Sequence, residues 1–385
     1  MYHSFDFGRM RRSSRVLGNP KTFFRANLKD LSSPAAAQRK LPDMTGMKFG
    51  TCFSPRMLEV DWTKADGWGD PVIKDYQNIS IPPFCGAIQH GLQCFEGLKA
   101  YMDPAGKIRL FRPEMNAKRL LNSFTRLQFP QFDVDEFCKC LVELVRLDKA
   151  FVPAQANHSL YIRPAGIATS PSITPSAPEG IKLFIMTSPV GPYYAGGFKP
   201  VKLMVEQNHH RAWPGGHGAF KVGPNYAGVV GHQLTHGKKG YSQILWLGPD
   251  GVVDEVGAMN FLMLWKTKSG ERELITAPLD GTILPGVTRD SILTMAREWD
   301  EFKVSEKRFT MTDVVEAFRE KRVEEMFGCG TAAIVTTVES IAYQGEEFVV
   351  PTPENGVAMR CMKSITDIQT GRAGEHPWSI IVEGT

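Results

Sequence analysis

A single lysine stands in a segment of glycine and apolar residues, GGHGAFKVGPNYAG at 215–228. Phe220, Val222 and Tyr226 flank Lys221 and indicate that it is partly buried. A desolvated amine has a lowered pKa and is nucleophilic near neutral pH, and such lysines form Schiff bases. A solvent-exposed lysine on a flexible loop is the alternative, and the residue types alone leave both interpretations open. The glycines match neither the dinucleotide fingerprint nor the P-loop pattern.

One acidic residue, Glu255, precedes an apolar run that is typical of a buried strand, within DEVGAMNFLMLW at 254–265. A carboxylate buried there needs a cationic partner or hydrogen-bond donors. The protonated ring nitrogen of a cofactor such as pyridoxal phosphate would be such a partner. The alternative is a solvated acid in a hairpin turn with Asp250 and Asp254.

Two glycine-containing turns could bind a phosphate group. GTILPGVTRDS at 281–291 leads into a predicted helix, and FGCGTAA at 327–333 combines glycines with Thr331. Backbone N–H groups at a helix start or in a glycine-rich turn bind anions, and a threonine hydroxyl adds a donor. Such turns are also common in ordinary loops, so neither is decisive alone.

Taken together, these segments resemble the class IV aminotransferases, which are fold type IV pyridoxal-phosphate enzymes, and among them the branched-chain amino-acid aminotransferases. The class pattern E-x-G-x-x-N, a later threonine and L-x-G-V-x-R is met by Glu255, Gly257, Asn260, Thr276, Leu284, Gly286, Val287 and Arg289. Family-like segments such as LQCFEGLKAY, NAKRL, RAWPGG and KVGPNY extend from about residue 47 to 378. The chain departs from the common family residues at His90, Ala258 and Leu262.

The resemblance implies pyridoxal 5'-phosphate as the cofactor and gives several residues a role toward it. Lys221 would be the catalytic residue that forms the Schiff base. Glu255 would bond the ring nitrogen and Tyr226 the ring hydroxyl. The implied phosphate ligands are Arg119, Thr331 and the backbone amides of Val287 and Thr288.

The resemblance also implies a substrate pocket. Tyr161, with the amides of Thr331 and Ala332, would orient the substrate carboxylate. Arg163 lies two residues after Tyr161, hence on the same strand face, and could receive the distal carboxylate of glutamate. The implied aromatic walls are Phe49, Phe95, Tyr193 and Tyr226.

The implied reaction is a reversible, ping-pong transfer of the amino group of L-leucine, L-isoleucine or L-valine to 2-oxoglutarate. The products are branched-chain 2-oxo acids and L-glutamate. A D-amino-acid aminotransferase or another fold type IV enzyme is the alternative within the fold. A non-catalytic homologue that serves as an interaction module is a more distant one. The resemblance further implies a homodimer.

The elements that must position these residues indicate two domains of mixed α/β or α+β character. Apolar residues at helical spacing predict helices in PEMNAKRLLNSFTRLQF and DEFCKCLVELVRLDKAF, among short strands. Later strands occur in runs rather than in strict alternation with helices, which favours a barrel-like second domain. We predict a leader at 1–40, a small α+β domain at 41–190, a linker at 191–197 and a large cofactor-binding domain at 198–385.

Charge is concentrated at the start of the chain. Residues 1–29 hold seven Lys or Arg against one acid, and the remainder holds 38 basic and 40 acidic residues. The body therefore lacks the basic surface that nucleic-acid binding needs. The Arg-rich, acid-poor leader is typical of an organelle transit peptide, which predicts a mitochondrial protein, with a disordered tail on a cytoplasmic protein as the alternative.

Cysteine and histidine usage predicts neither a disulfide framework nor a metal site. Seven cysteines are an odd count, and no CxxC spacing occurs. His209 and His210 are adjacent, and neighbouring residues on a strand point to opposite faces. We also find no apolar run long enough to predict a membrane helix, so no membrane partner is expected. The resemblance implies small-molecule partners, namely branched-chain amino acids, 2-oxoglutarate and glutamate.

Overall fold

The computed structural model describes residues 22–45, 47–193 and 199–384. Its helices are α1 (Pro34–Gln38), α2 (Gly86–His90), α3 (Pro113–Arg126), α4 (Val134–Leu147), α5 (Pro224–Gly237), α6 (Val287–Trp299), α7 (Met311–Arg319) and α8 (Val357–Gln369). Its strands are β1 (Lys29–Asp30), β2 (Arg56–Thr63), β3 (Gly67–Trp68), β4 (Val72–Asp75), β5 (Gln93–Phe95), β6 (Leu98–Met102), β7 (Ile108–Phe111), β8 (Ser159–Ala168), β9 (Gly180–Val190), β10 (Val201–Glu206), β11 (Gln243–Leu247), β12 (Val253–Val256), β13 (Met259–Lys266), β14 (Arg272–Thr276), β15 (Lys303–Glu306), β16 (Val323–Gly330), β17 (Ile334–Tyr343), β18 (Glu346–Val349) and β19 (Ser379–Ile381). None of the helices in these ranges is long and apolar enough to cross a membrane.

The first sheet has the order β1-β4-β2-β9-β8-β6-β7-β19, with β3 beside β2 and β5 beside β8. Its long central pairs are antiparallel. Helices α3 and α4 pack on it because their apolar residues recur on one face. Leu120 and Phe124 of α3 and Leu141 and Leu144 of α4 are buried in the same core as the strands. Both helices predicted from this spacing are therefore confirmed.

The second sheet closes on itself. Strands β10, β11, β12, β13, β16 and β17 pair in a ring, and β14, β15 and β18 extend it. Successive residues of β13 face different cores: Leu262 and Leu264 pack with α6 and α8, whereas Phe261 and Met263 pack with α7. Burial of both faces explains the continuous apolar run in this strand. The predicted barrel-like architecture is confirmed.

The described part of the predicted leader, residues 22–40, packs against the first sheet. Phe23 is buried and its ring lies edge-on to that of Trp68 at 5.3 Å. Strand β1 pairs with β4 in parallel. The folded unit thus begins before residue 41, because apolar side chains in this stretch reach the core although its overall composition is basic. Residues 1–21 of the predicted leader lie outside the described residues.

The chain passes from the first sheet to the second between β9 and β10, where the linker 191–197 is predicted; residues 194–197 lie outside the described residues. Near its end the chain returns. Strand β19 pairs with β7 and Val382 is buried in the first core. The last residues of the predicted large domain therefore belong to the first sheet. A three-residue strand is too short to show a hydrophobic pattern in the sequence, so its position depends on long-range strand pairing.

Candidate active site

Lys221 lies between β10 and α5, and its backbone is hydrogen-bonded on both sides. Its N–H donates to Ser123 Oγ at 2.9 Å, and its carbonyl accepts from the Phe95 N–H at 3.0 Å. The Gly223 N–H donates to the carbonyl of Gln93 at 3.0 Å, so this segment runs antiparallel beside β5. These bonds satisfy the backbone at the seam between the two sheets and fix the point from which the side chain extends.

The amine of Lys221 lies among aromatic rings. Its Nζ donates to Tyr226 Oη at 3.0 Å and lies 5.0 Å from the centroid of the Phe95 ring. Tyr226 stands in the first turn of α5, and its ring centroid is 5.0 Å from that of Phe95. Lys221 is half-buried, so the expected partial burial is confirmed and the exposed-loop alternative is wrong.

One cavity contains the Lys221 side chain together with groups that bind anions. Its walls include Arg119 of α3, Val287 and Thr288 at the start of α6, and Thr331 after β16. The first N–H groups of a helix have no acceptor within the helix, and the helix dipole is positive at this end. This side of the cavity therefore favours a phosphate or another anion.

Arg119 is held by a buried carboxylate to which the sequence analysis gave no role. Its Nε and Nη2 donate to the two carboxylate oxygens of Glu96 at 2.6 and 2.9 Å, and its Nη1 donates to the Pro285 carbonyl at 3.0 Å. Burial acts to raise the pKa of Glu96, but Arg119, the charge of Lys221 and the hydrogen bond from Asn116 together outweigh it, and the pKa is lowered. Both partners are therefore charged, and the pair fixes the guanidinium in the cavity wall.

Glu255 lies in β12 and is 2% exposed. Its Oε1 accepts from the Leu284 N–H at 2.8 Å and from Asn260 Nδ2 at 3.1 Å. Its Oε2 lies 2.8 Å from Arg211 Nε, an ion pair without the alignment of a hydrogen bond. Burial raises the pKa of Glu255, and the Arg211 charge opposes this effect. The alternative of a solvated acid in a hairpin is wrong.

Two of these supporting residues stood in motifs of the sequence without an assigned role. Asn260 ends the E-x-G-x-x-N pattern, and it bonds both Glu255 and the Leu284 carbonyl, the latter at 2.8 Å. A Cβ at Gly286 would lie 2.1 Å from Asn260 Oδ1, so this position requires glycine. Arg211 begins the segment RAWPGG and donates to the carbonyl of Thr282 at 2.9 Å. The motifs include both residues, but their contacts with Glu255 become visible only in the folded structure.

The predicted aromatic residues form two neighbouring groups. Phe49 lies edge-on to Tyr161 at 5.5 Å and to Tyr193 at 5.3 Å. Phe95 contacts Tyr226 as described above. Tyr193 is 39% exposed, whereas the other four are half-buried, so the apolar surface opens toward solvent at Tyr193.

Arg163 joins the two aromatic groups. Its Nη2 donates to Tyr161 Oη at 3.3 Å, and its guanidinium lies 4.5 Å from the centroid of the Phe95 ring. The expected placement of Arg163 and Tyr161 on the same strand face is confirmed. The guanidinium thus lies over an aromatic face, where a cation is favoured.

A buried lysine, Lys99, stands beside these residues and was not predicted as part of the site. It is 7% exposed, and its Nζ donates to the Ala332 carbonyl at 2.7 Å. Burial lowers the pKa of Lys99 to about 7. Ala332 follows Thr331, so Lys99 supports the turn that forms part of the cavity wall. The sequence feature that could have indicated this role is the position of Lys99 within the family-like segment LQCFEGLKAY.

The cavity combines an anion-binding wall, an amine and a buried carboxylate. A ligand that carries a phosphate, an aldehyde and a basic ring nitrogen matches all three groups. Pyridoxal phosphate has this set, so the donor groups present fit the cofactor expected from the sequence.

Comparison with known proteins identifies the family. The model of the amino-transferase class IV family matches residues 93–341. Branched-chain-amino-acid aminotransferase of Dictyostelium discoideum is 49% identical over 90% of this chain and 92% of its own length. The cytosolic form of Mus musculus is 44% identical over 93% of both chains, and the mitochondrial form of Schizosaccharomyces pombe is 43% identical over 89% of this chain and 82% of its own.

Solved structures agree in fold. The branched-chain aminotransferase of Thermoproteus uzoniensis, solved with norvaline, superposes with a TM-score of 0.68 at 22% identity, over 84% of this chain and 99% of the other. The pyridoxal-phosphate form of the Thermobaculum terrenum branched-chain amino acid aminotransferase gives a TM-score of 0.66 at 22% identity, over 84% and 98%. The sequence matches cover the walls of the cavity as well as the fold. This chain therefore belongs to the class IV aminotransferase family, among the branched-chain-amino-acid aminotransferases.

Proposed function

We propose that this chain is a pyridoxal-phosphate-dependent transaminase that moves the amino group of L-leucine, L-isoleucine or L-valine to 2-oxoglutarate. The observation that carries the proposal is the single cavity in which Lys221, Arg119 and Glu255 meet. The relatives that share 43–49% of its residues bear the name of this activity. The reaction is reversible and yields branched-chain 2-oxo acids and L-glutamate.

The cavity walls supply a ligand for each polar group of the cofactor. When bound, pyridoxal phosphate provides an aldehyde carbon that reacts with amines and a ring that accepts electrons. Glu255 would hold the ring nitrogen in its protonated form, and Tyr226 Oη would bond the ring hydroxyl. The phosphate ligands are Arg119, the Thr331 hydroxyl and the backbone N–H groups of Val287 and Thr288.

Lys221 acts first as a covalent anchor and then as a proton carrier. Its Nζ is the group that would hold the cofactor covalently through the aldehyde that the cofactor supplies. As a free amine, Nζ would accept the α-proton of the substrate and later give it up again, as base and acid in turn. Tyr226 Oη, 3.0 Å from Nζ, keeps the amine within reach during both transfers. Because the first product, a 2-oxo acid, leaves before the second substrate binds, the kinetics are ping-pong.

The substrate is oriented by polar groups at one end and aromatic rings at the other. Tyr161 Oη and the N–H groups of Thr331 and Ala332 bind its carboxylate. Arg163 receives the distal carboxylate of glutamate, and its contact with Tyr161 keeps the guanidinium close to that end. The walls around an aliphatic side chain are Phe49, Phe95, Tyr193 and Tyr226. An apolar aromatic lining of this kind suits branched side chains.

We further infer that the active form is a homodimer. Phe84, Ile88 and Ile173 are 59%, 57% and 68% exposed and belong to neighbouring segments, joined by a contact of 3.3 Å between His90 Nε2 and the Ile173 carbonyl. A cluster of large apolar side chains at the surface favours a protein partner, here a second copy of the chain.

The dimer is tested by Ile88→Asp combined with Ile173→Asp. Sedimentation should show a dimer for the wild type and a monomer for the variant, because buried carboxylates oppose association. The monomer should lose activity if the partner completes each site. A wild-type monomer with full activity would contradict the inference.

We infer a mitochondrial location from the basic, acid-poor leader. Relatives include both cytosolic and mitochondrial forms, so the family alone does not decide the compartment. Residues 1–40 fused to a fluorescent protein should reach mitochondria. The same fusion with Arg9, Arg11, Arg12 and Arg15 replaced by serine is the control. Cytoplasmic fluorescence from both fusions would exclude a transit signal.

The first test of the transaminase is Lys221→Ala. Loss of the anchor and proton carrier should lower turnover by more than about 10⁴-fold and remove the visible band that leucine bleaches and 2-oxoglutarate restores in the wild type. Lys238→Ala, an exposed lysine near the end of α5, is the matched control. Near-normal turnover in Lys221→Ala would refute the assignment of Lys221. A wild-type absorption band that responds only to D-amino acids would change the substrate assignment to D-amino acids.

Gly97→Ala tests the role of Tyr161. A Cβ at residue 97 would lie 1.9 Å from Tyr161 Oη and must displace that side chain. Because a displacement of about 1 Å can reduce the rate roughly 10²-fold, kcat/KM for leucine should fall by about 10- to 100-fold while the cofactor still binds. Gly228→Ala, where a Cβ meets nothing within 4 Å, should leave kcat/KM unchanged. Equal kinetics in both variants would remove Tyr161 from the proposed site.

Lys99→Met tests the effect of burying the Lys99 amine beside the turn at Thr331 and Ala332. The pKa of Lys99 is lowered from 10.5 to about 7, so above pH 7 the unfolded chain holds a proton that the folded chain lacks, and the contribution of Lys99 to stability rises with pH. The free energy of unfolding of Lys99→Met should exceed that of the wild type at about pH 6, and this difference should shrink by about 2–3 kcal/mol by about pH 9.

Urea unfolding of both proteins at the two pH values measures this change. Lys118→Met, at an exposed position of α3, is the control and should show no such trend. If the free energies of unfolding of Lys99→Met and the wild type differ by the same amount at both pH values, Lys99 keeps its ordinary pKa.

A further inference from the structure

Four ligand-type side chains converge where β10 ends beside α5, and none of them lines the cavity described above. The Oε2 atom of Glu206 lies 3.0 Å from His232 Nδ1 and 3.7 Å from His236 Nε2. The Oε1 atom of Glu206 lies 3.3 Å from His209 Nδ1. The ligand atoms of Glu206, His209 and His232 all lie within 4.8 Å of one another.

The local structure aims these groups at one another. His232 and His236 are four residues apart on α5 and so share one face of the helix. Glu206 is the last residue of β10 and is 7% exposed. Its Oε1 accepts from the N–H groups of Asn208 and His209 at 2.9 and 3.2 Å, which holds the carboxylate in place and leaves Oε2 toward the helix.

The spacing and chemistry match a transition-metal site. Zinc binds histidine nitrogen and carboxylate oxygen at about 2.0–2.2 Å, and in a tetrahedral site this places neighbouring ligand atoms about 3.3 Å apart. The separations from Glu206 Oε2 to His232 Nδ1 and His236 Nε2 are 3.0 and 3.7 Å, and Glu206 Oε1 lies 3.3 Å from His209 Nδ1, so these distances bracket that value. Two histidines one helical turn apart form a recurrent zinc-binding pair.

We propose that Glu206, His209, His232 and His236 bind one divalent transition-metal ion of the Zn²⁺ type. The ion takes the carboxylate of Glu206 and one ring nitrogen each of His209 and His232, and His236, whose Nε2 lies 3.7 Å from Glu206 Oε2, supplies the fourth position of a four-coordinate site. The His236 Nδ1 is buried and has no hydrogen-bond partner among the described residues, so no competing bond holds that ring away from the ion.

The absence of a metal site is predicted from the cysteine spacing and from the adjacency of His209 and His210, which on a strand would point to opposite faces. In the structure neither residue lies in a strand, and their rings separate. His210 Nδ1 lies 2.6 Å from the Leu247 carbonyl, whereas His209 faces His232 with ring centroids 4.4 Å apart. The cluster therefore forms from residues far apart in the chain, which sequence spacing alone cannot reveal.

The site would fasten α5 to the end of β10. No residue of α5 is fully buried, so the helix has little apolar contact to hold it. Coordinate bonds from His232 and His236 to the ion would hold the helix in place where apolar packing does not. The expected consequence is a more stable protein when the metal is bound, because a ligand of the folded state adds to its stability.

The test uses the full chain loaded with pyridoxal phosphate, treated with a chelator and then titrated with Zn²⁺ or Co²⁺. Calorimetry should give about one ion per chain, Co²⁺ should show the visible absorption of a four-coordinate ion, and thermal unfolding should shift to higher temperature. Absence of saturable binding would refute the proposal, and this result is independent of whether the chain is a transaminase.

Variants assign the ligands. His232→Ala and Glu206→Gln should each weaken Zn²⁺ binding by at least about 100-fold, since even outer partners of a metal site contribute 10- to 100-fold. His210→Ala is the matched control and should bind as the wild type does. Circular dichroism identifies any variant that fails to fold, and His209→Ala then takes its place. Equal Zn²⁺ affinity in all variants, or equal loss in His210→Ala, would place the ion elsewhere and overturn the proposal.

Discussion

The pairing of the Lys221 segment with β5 is the contact on which the geometry of the site depends. This segment follows β10 of the closed sheet, yet its backbone bonds to Phe95 and Ser123 of the first unit. Arg119 crosses the seam in the opposite direction, from α3 to the Pro285 carbonyl. The site therefore exists only where the two sheets meet. A relative shift of the sheets would move the amine and the guanidinium together, away from Glu255 and Thr331.

The buried charges at this seam add little net stability to the fold. A buried ion pair is often no more stable than apolar residues of the same volume, because desolvation offsets the attraction. Arg119 with Glu96 and Arg211 with Glu255 are nonetheless both kept in the interior. Loss of one partner costs about 3–5 kcal/mol, since it leaves an unpaired charge behind. Arg119 and Glu255 thus each have a charged partner behind them, and that partner holds the group in place before any ligand arrives.

Local pattern and motif predicted the groups that face the cavity but not the partners that support them. Lys221, Glu255 and Thr331 stand out because their residue type conflicts with apolar or glycine-rich surroundings. Glu96 and Arg211 carry no such signal, since an isolated acid or base in a sequence is usually at the surface. Helices α3 and α4 followed from their periodicity, whereas closure of the ring between β12 and β13 and the return of β19 to β7 depend on long-range pairing.

Helix α5 links the two sites along one element. Its first turn carries Tyr226, which bonds the Lys221 amine, and its later turns carry His232 and His236, which face Glu206. Since no residue of α5 is fully buried, polar contacts at its two ends define its position more than packing does. Elements with few buried contacts open at low free energy. Any group that fixes the histidine end of α5 therefore also limits how far Tyr226 can move from the Lys221 amine, so the stability of this helix and the placement of that amine are coupled.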